Sequence, residues 1–244
     1  MNATIEQNKT TFNELVKSIT RPNCDLDGLL DLFARTDFYY APATTQYHSS
    51  YAGGLVAHSL NVYNNLLSLI RTKYPMVSVP KLDENRNAVV SENGEPVMTD
   101  CDTMPWTTDT IKIVALFHDV SKINNFEQTV RNKKVYSDAG TKQDDVGKYD
   151  WKSEVAYTVA DVQNRFVCGT HSQNSAILLA RYIPLTLEEQ SAIMNHHGLY
   201  ENQNSSTVFS VFDRYPLATY LYLANMMSSY IDESSYVVDT NKEN

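Results

Sequence analysis

The chain has 244 residues, 42% hydrophobic and 20% charged, the balance of a soluble globular protein with room for one large domain. Eight Gly and eight Pro exclude collagen-like and linker-dominated chains. Twenty Lys+Arg against 29 Asp+Glu, a formal net charge of −9, argue against a surface built to coat duplex nucleic acid. No run of about 18 apolar residues is present, and the N-terminus lacks the basic and apolar regions of a signal peptide. Cys24, Cys101 and Cys168 are odd in number and form no CxxC pair, so neither a disulfide framework nor a zinc ribbon is expected. The expectation is a cytoplasmic protein with no membrane partner.

In chain order, Phe12, Leu15, Val16 and Ile19 recur at i, i+3, i+4, i+7 and predict an amphipathic helix over 11–19. Leu26, Leu29, Leu30 and Phe33 predict a second over 25–35, with Asn23 or Asp25 as cap. A loop from Tyr39 ends in Gly53-Gly54, and a long helix is predicted over 54–72. Residues 73–106 hold Pro75, Pro80, Pro96 and Pro105 and read as an irregular insertion, with a small hairpin around Asn93-Gly94. A helix over 108–123 follows Thr107 or Thr108. In 127–168, Val130, Val135-Tyr136 and Ala156–Val159 predict a β-ribbon flap. Helices return over 172–183, over 186–197 with Thr186 as cap, and over 209–232. The stretch 233–244 reads as a fraying polar tail.

The histidines carry the chemistry. On 54–72 the apolar stripe Leu55, Val62, Leu66, Leu69 takes His58 inward. On 108–123 the stripe Ile111, Val114, Ala115 continues to His118, with Asp119 next. His196 follows Ala192 and Ile193 by four and three residues, and His171 begins a helix whose inner face runs through Ser175 and Leu178. Leu217 and Leu221 lead by fours to Asn225. One inward histidine is ordinarily a core residue with one hydrogen bond. Four, with a carboxylate, are costly to bury unless they are paired or ligate metal. Imidazole and carboxylate are the usual ligands of Zn, Fe, Mn, Co and Ni.

The pair His118-Asp119 with a histidine on an upstream helix resembles the HD-domain metal-dependent phosphohydrolases of phages and bacteria. The likeness extends through Ala41-Pro42-Ala43 with Tyr47-His48 and Gly53-Gly54-Leu55 with His58-Ser59-Leu60-Asn61-Val62. It continues in Leu116-Phe117-His118-Asp119 with Lys122, Gly169-Thr170-His171 with Ser175, and Leu185-Thr186, Glu188-Glu189, Ala192-Ile193 and His196-His197-Gly198. It implies one all-α HD-type helical bundle over 1–244 with a small β-hairpin or ribbon insertion. It further implies one or two divalent transition ions (Mn, Fe, Co, Ni or Zn) held by His58, His118, Asp119, His171, His196 and Asn225, with Asp119 bridging. The family's closing motif, roughly LhxADxxSxYxxE, has a ligating Asp where this chain has Asn225, a neutral and weaker donor. Three readings stay open: a tolerated ligand, a binding-only homologue, or an inactivating substitution.

In this reading Asp119, Lys122 and His48 are the catalytic candidates, with Lys122 reaching a phosphate and His48 donating to the leaving oxygen or orienting its loop. Lys122, Arg131, Lys134 and Tyr47 are the substrate-binding candidates. His197 is expected outside the ligand set. The expected activity is hydrolysis of phosphate ester or anhydride bonds of a nucleoside mono- or triphosphate, by a monomer or homodimer, in a bacterium or a phage-infected cell. The alternatives are a phosphodiesterase or 3′→5′ exonuclease on short RNA or cyclic dinucleotides, and a nucleotide sensor or sponge.

Overall fold

A computed structural model describes residues 3–201 and 204–233. Most of the tail expected over 233–244 lies outside them. The chain is 47% helical and 17% strand, with two antiparallel sheets, so the architecture is mixed α/β and the all-α expectation is corrected. The correction comes from two segments that pair into long ribbons, where an irregular insertion with a small hairpin over 73–106 and a short ribbon flap over 127–168 were expected.

Eight helices are present among the described residues: α1 (Ala3–Lys17), α2 (Leu26–Arg35), α3 (Gly54–Lys73), α4 (Thr108–Phe117), α5 (His171–Leu179), α6 (Leu187–Met194), α7 (Ser205–Arg214) and α8 (Pro216–Met227). α3 packs against α1, α4 and α8, and α6 packs against α5 and α8. The predicted 209–232 helix is two helices, because Pro216 lacks an amide donor and starts α8 afresh. A wider turn follows over Ser228–Asp232, closed by the Glu233 amide donating to the Ser228 carbonyl at 3.0 Å. The predicted 108–123 helix stops at His118, its C-cap, and a short 3₁₀ turn over Val120–Lys122 follows.

One aromatic cluster anchors the end of α4. Phe12, Phe33, Phe38 and Phe117 are fully buried, with Phe33 stacked on Phe38 at 3.9 Å and Phe117 edge-on to Phe12 at 5.9 Å. Such contacts hold His118, the next residue, at a fixed depth in the core. The loop before α3 is pressed onto the helix by its two glycines. Gly53 takes φ +83°, and a Cβ on Gly54 would stand 2.0 Å from the Ser49 carbonyl oxygen.

In 73–106, strands β1 (Met76–Pro80) and β2 (Met98–Asp102) pair antiparallel, and bridges Leu82↔Ala88 and Val90↔Pro96 extend the pairing toward Gly94. The ribbon expected over 127–168 is longer and better paired than its motifs suggested: β3 (Phe126–Tyr136) pairs with β5 (Lys148–Val159) along its full length, and β4 (Lys142–Gln143) adds two residues. Opposed residues share a face. One face carries Val130, Val155, Lys134, Trp151, Tyr136 and Tyr149, and the other Arg131, Glu154, Lys133 and Lys152. The Ala160 amide donates to the Asn125 carbonyl at 3.0 Å, so both ends of the ribbon close on one point. That point lies between Lys122 and His171 in the chain, and the ribbon therefore rises between two histidine-bearing segments. No helix among the described residues is long and apolar enough to cross a membrane.

Candidate metal centre

Asp119 follows the C-cap of α4 and is 1% exposed, with histidines from α3, α5 and the end of α6 around it. His118 Nε2 stands 3.5 Å from Asp119 Oδ2, and His58 Nε2 stands 3.9 Å from the same oxygen. His171 Nε2 and His196 Nε2 stand 3.3 and 3.4 Å from Oδ1. The structure thus brings together His58, His118, Asp119, His171 and His196, and places the sixth ligand candidate, Asn225, with its Oδ1 3.0 Å from His58 Nε2.

The hydrogen bonds fix which ring nitrogen is free. His118 Nδ1 donates to the Ala115 carbonyl and His196 Nδ1 to the Ile193 carbonyl, both at 2.7 Å. Burial pushes both pKa values down, that of His196 to about 4, so at neutral pH each ring carries a lone pair on Nε2. Burial likewise opposes charge on Asp119, but Lys122 and the histidines outweigh it and hold the carboxyl well below its ordinary range. Burial also opposes charge on His171, yet the Asp119 and Glu201 carboxylates flanking the ring draw its pKa up.

Six buried side-chain polar atoms have no hydrogen-bond partner among the described residues, and four are here: His118 Nε2, Asp119 Oδ1, His171 Nε2 and His196 Nε2. The Nε2 lone pairs of His118 and His196 and an unpartnered Asp119 oxygen, converging at one point, are costly in a core. A cation removes that cost. Ligand atoms on an ion at about 2.0–2.1 Å stand about 3–3.4 Å from one another, close to the separations here. The residues present therefore fit a metal ion.

Three groups of His, Asp and Glu have ligand atoms within 4.8 Å of one another: Asp119 with His171, His196 and His197; His58 with His118 and Asp119; and His48 with His58 and Glu233. His197, expected outside the ligand set, belongs to the first group. Its residue type beside His196 was visible in the sequence, but a 3₁₀ turn beginning at Gly198, not a continued helix, places it there.

Glu201 and Glu233 were missed as site residues. His171 Nδ1 stands 3.2 Å from Glu201 Oε1, and Ser172 donates to the same carboxylate. This is the carboxylate partner that typically orients a ligating imidazole. Glu233 receives His58 Nδ1 at 2.9 Å, Asn61 Nδ2 at 2.9 Å and Ser49 Oγ at 2.6 Å. Its only sequence signal was the closing glutamate of the family motif.

Lys122 is 8% exposed, and its Nζ donates to Asp119 Oδ2 at 2.7 Å. His48 is half-buried, its ring 4.8 Å from that of His58 and its Nε2 3.4 Å from Ser229 Oγ. Burial, then the His58 and Lys122 charges, lower its pKa to about 4. Asn225 is buried beside His58. Arg131 and Lys134 are ion-paired on the ribbon, with Glu154 at 2.7 Å and Asp144 at 2.5 Å, rather than with any residue of the cluster. Tyr47 is 79% exposed on the loop carrying His48. No family model, curated protein or solved structure matches the chain.

Proposed function

We propose that the chain is a metal-dependent phosphohydrolase of HD type that acts on a nucleotide. The observation that carries this is the set of unpartnered atoms on His118, Asp119, His171 and His196, converging beside a buried lysine. A divalent transition ion, one of Mn, Fe, Co, Ni or Zn, supplies there the charge that neutralises a phosphoryl group and polarises water. Asp119 and the histidines hold that charge in place. Lys122 partly neutralises Asp119 and leaves two ammonium protons for a phosphoryl oxygen. His48, neutral above about pH 4, places an N–H donor next to the cluster for the leaving oxygen. Tyr47 offers an exposed ring for a base. No Ser or Cys nucleophile is needed, and the net charge of −9 is compatible with an anionic substrate when the positive charge is the ion's.

The test is incubation of the purified protein with Mn, Co, Ni or Fe and a nucleotide panel, read by mass spectrometry. Phosphate release from a nucleoside mono- or triphosphate is expected. Cleavage of short oligonucleotides or cyclic dinucleotides instead selects the phosphodiesterase reading, and no turnover of any of them refutes hydrolysis. Asn225 favours a second reading, a nucleotide sensor without turnover, because its amide is engaged with protein at both ends. Ligand recovered unchanged after long incubation with metal is its signature.

A further inference from the structure

The two ends of the β3–β5 ribbon fix which way its backbone groups point. At the foot the Ala160 amide donates to the Asn125 carbonyl at 3.0 Å, and at the tip the Ser137 amide donates to the Lys148 carbonyl at 3.0 Å. Both belong to one unbroken antiparallel register, so the odd-numbered residues of β3 turn N–H and C=O toward β5. Phe126, Gln128, Val130, Asn132, Lys134 and Tyr136 turn theirs the other way, where no strand pairs with β3 among the described residues. β3 is therefore an open edge of 11 residues, a template for another strand.

The sequence of this edge is complementary to itself. A second copy that meets it antiparallel does so about a two-fold axis normal to the ribbon, which keeps like faces together. Centred on Val130, that pairing sets Gln128 against Asn132 and Glu127 of each copy against Lys133 of the other. Glu127 and Lys133 are exposed, and neither makes an ion pair among the described residues. Lys133 stands instead across from Lys152, a like charge. Val130 and Val155 are cross-strand neighbours, 68% and 58% exposed, and the same centre puts them and their copies in one row of four. Moving the centre to Arg131 sets that cation against itself, and moving it to Thr129 shortens the overlap. A hollow of about 340 Å³ at the foot of the ribbon is lined by Asp37, Asn124, Phe126, Glu127, Ala160 and Asn164. The Val130-centred register brings the other ribbon's tip there, with Tyr136 across from Asn124. The β5 edge is less open, since β4 covers its first residues and Arg131 already holds Glu154.

We propose that the chain forms a two-fold homodimer in which the β3 edges of two copies pair antiparallel about Val130, joining the ribbons into one sheet of order β5-β3-β3-β5. The test is sedimentation velocity of the whole chain over an about hundredfold concentration range. A dimer that grows with concentration is expected, because an edge contact is smaller than an obligate interface. Glu127→Lys and Lys133→Glu each put like charges at both contacts, and each should weaken self-association about tenfold or more. Mixed one to one, the two variants regain both Glu–Lys contacts and should associate within about threefold of the unaltered chain. Neither disrupts the ribbon itself: position 127 stands across from Thr158, and Lys133→Glu gives Lys152 an opposite charge. Val130→Pro removes only an outward amide and should also weaken association. A chain that stays monomeric throughout, variants that associate as tightly as the unaltered chain, or a mixture that stays monomeric overturns the proposal. None of these readouts depends on the metal centre or on the proposed reaction.

Discussion

Replacing Arg21 by alanine removes the cation from a nearly dry ion pair. Arg21 lies between α1 and α2, and its guanidinium forks onto Glu189 of α6 at 2.8 and 2.5 Å, while also bonding Thr110 and the Pro184 carbonyl. The Glu189 side chain is 1% exposed and that of Arg21 17%. In Arg21→Ala the carboxylate keeps the Thr186 amide of its capping box at 2.9 Å and the Thr110 hydroxyl. Breaking a buried pair from one side costs about 3–5 kcal/mol. The partial exposure of Arg21 places this case near the lower end, about 3 kcal/mol. For a chain of this length each kcal/mol shifts the midpoint by about 2–4 °C, so Tm should fall by about 6–12 °C. The pH dependence has a definite sign. Burial opposes the charge on Glu189, but Arg21 and the Thr186 amide outweigh it and hold the carboxyl below its ordinary value of 4.5. Its stabilisation is then complete above about pH 4.5 and is lost as pH falls through the depressed value. Urea unfolding at pH 7 and at pH 3.5 is the assay, with the Arg21→Met/Glu189→Met double variant closing the cycle. A loss under 1 kcal/mol at pH 7, or a gap that does not shrink in acid, refutes the reasoning.

Adding Mn(II) at 100-fold excess over its Kd should stabilise the chain by about 2.7 kcal/mol, a rise of about 5–11 °C that a chelator reverses and His171→Ala abolishes; an unchanged melting curve speaks against a metal centre. Glu201→Gln should weaken Mn(II) binding about 10–100-fold in a calorimetric titration, since His171 loses its orienting carboxylate; unaltered affinity makes Glu201 a bystander. Asn225→Asp should tighten Mn(II) binding about tenfold or more in a calorimetric titration, because a carboxylate replaces a neutral amide beside His58; an unchanged affinity places position 225 outside the ligand set. Gly54→Ala drives a Cβ into the Ser49 carbonyl and should cost about 1–3 kcal/mol in urea unfolding, with no loss meaning that the loop yields freely.

The helical faces around Asp119 were readable because burial repeats with the helix. Leu55, Val62 and Leu66 are all fully buried, and His58 with them. The stripe leading to His196 was read the same way, although α6 ends at Met194 and a turn completes the approach. Periodicity does not show where a helix stops, so 108–123 was extended across the His118–Asp119 break that frees the Asp119 carboxylate. The ribbons were under-read because their strands are mostly exposed and polar, with little alternation to mark them. The all-α expectation failed for that reason. The roles of Glu201 and Glu233 were hidden for another: each acts through one histidine, and a carboxylate's partner is set by tertiary geometry rather than spacing.

The wide turn at Ser228–Asp232 decides the rotational phase of Glu233. Eight α-helical steps from Asn225 would leave Glu233 about 80° away from the direction of the amide. A turn closed from i to i+5 rotates each residue by less than an α-helix does, and so takes up much of that angle. Asn225 and Glu233 then reach the two nitrogens of the same imidazole. Deleting one residue from 228–232 would swing the carboxylate away by about 100° and take it off His58 Nδ1. A helix end that looks like a frayed last turn is acting as an angular spacer.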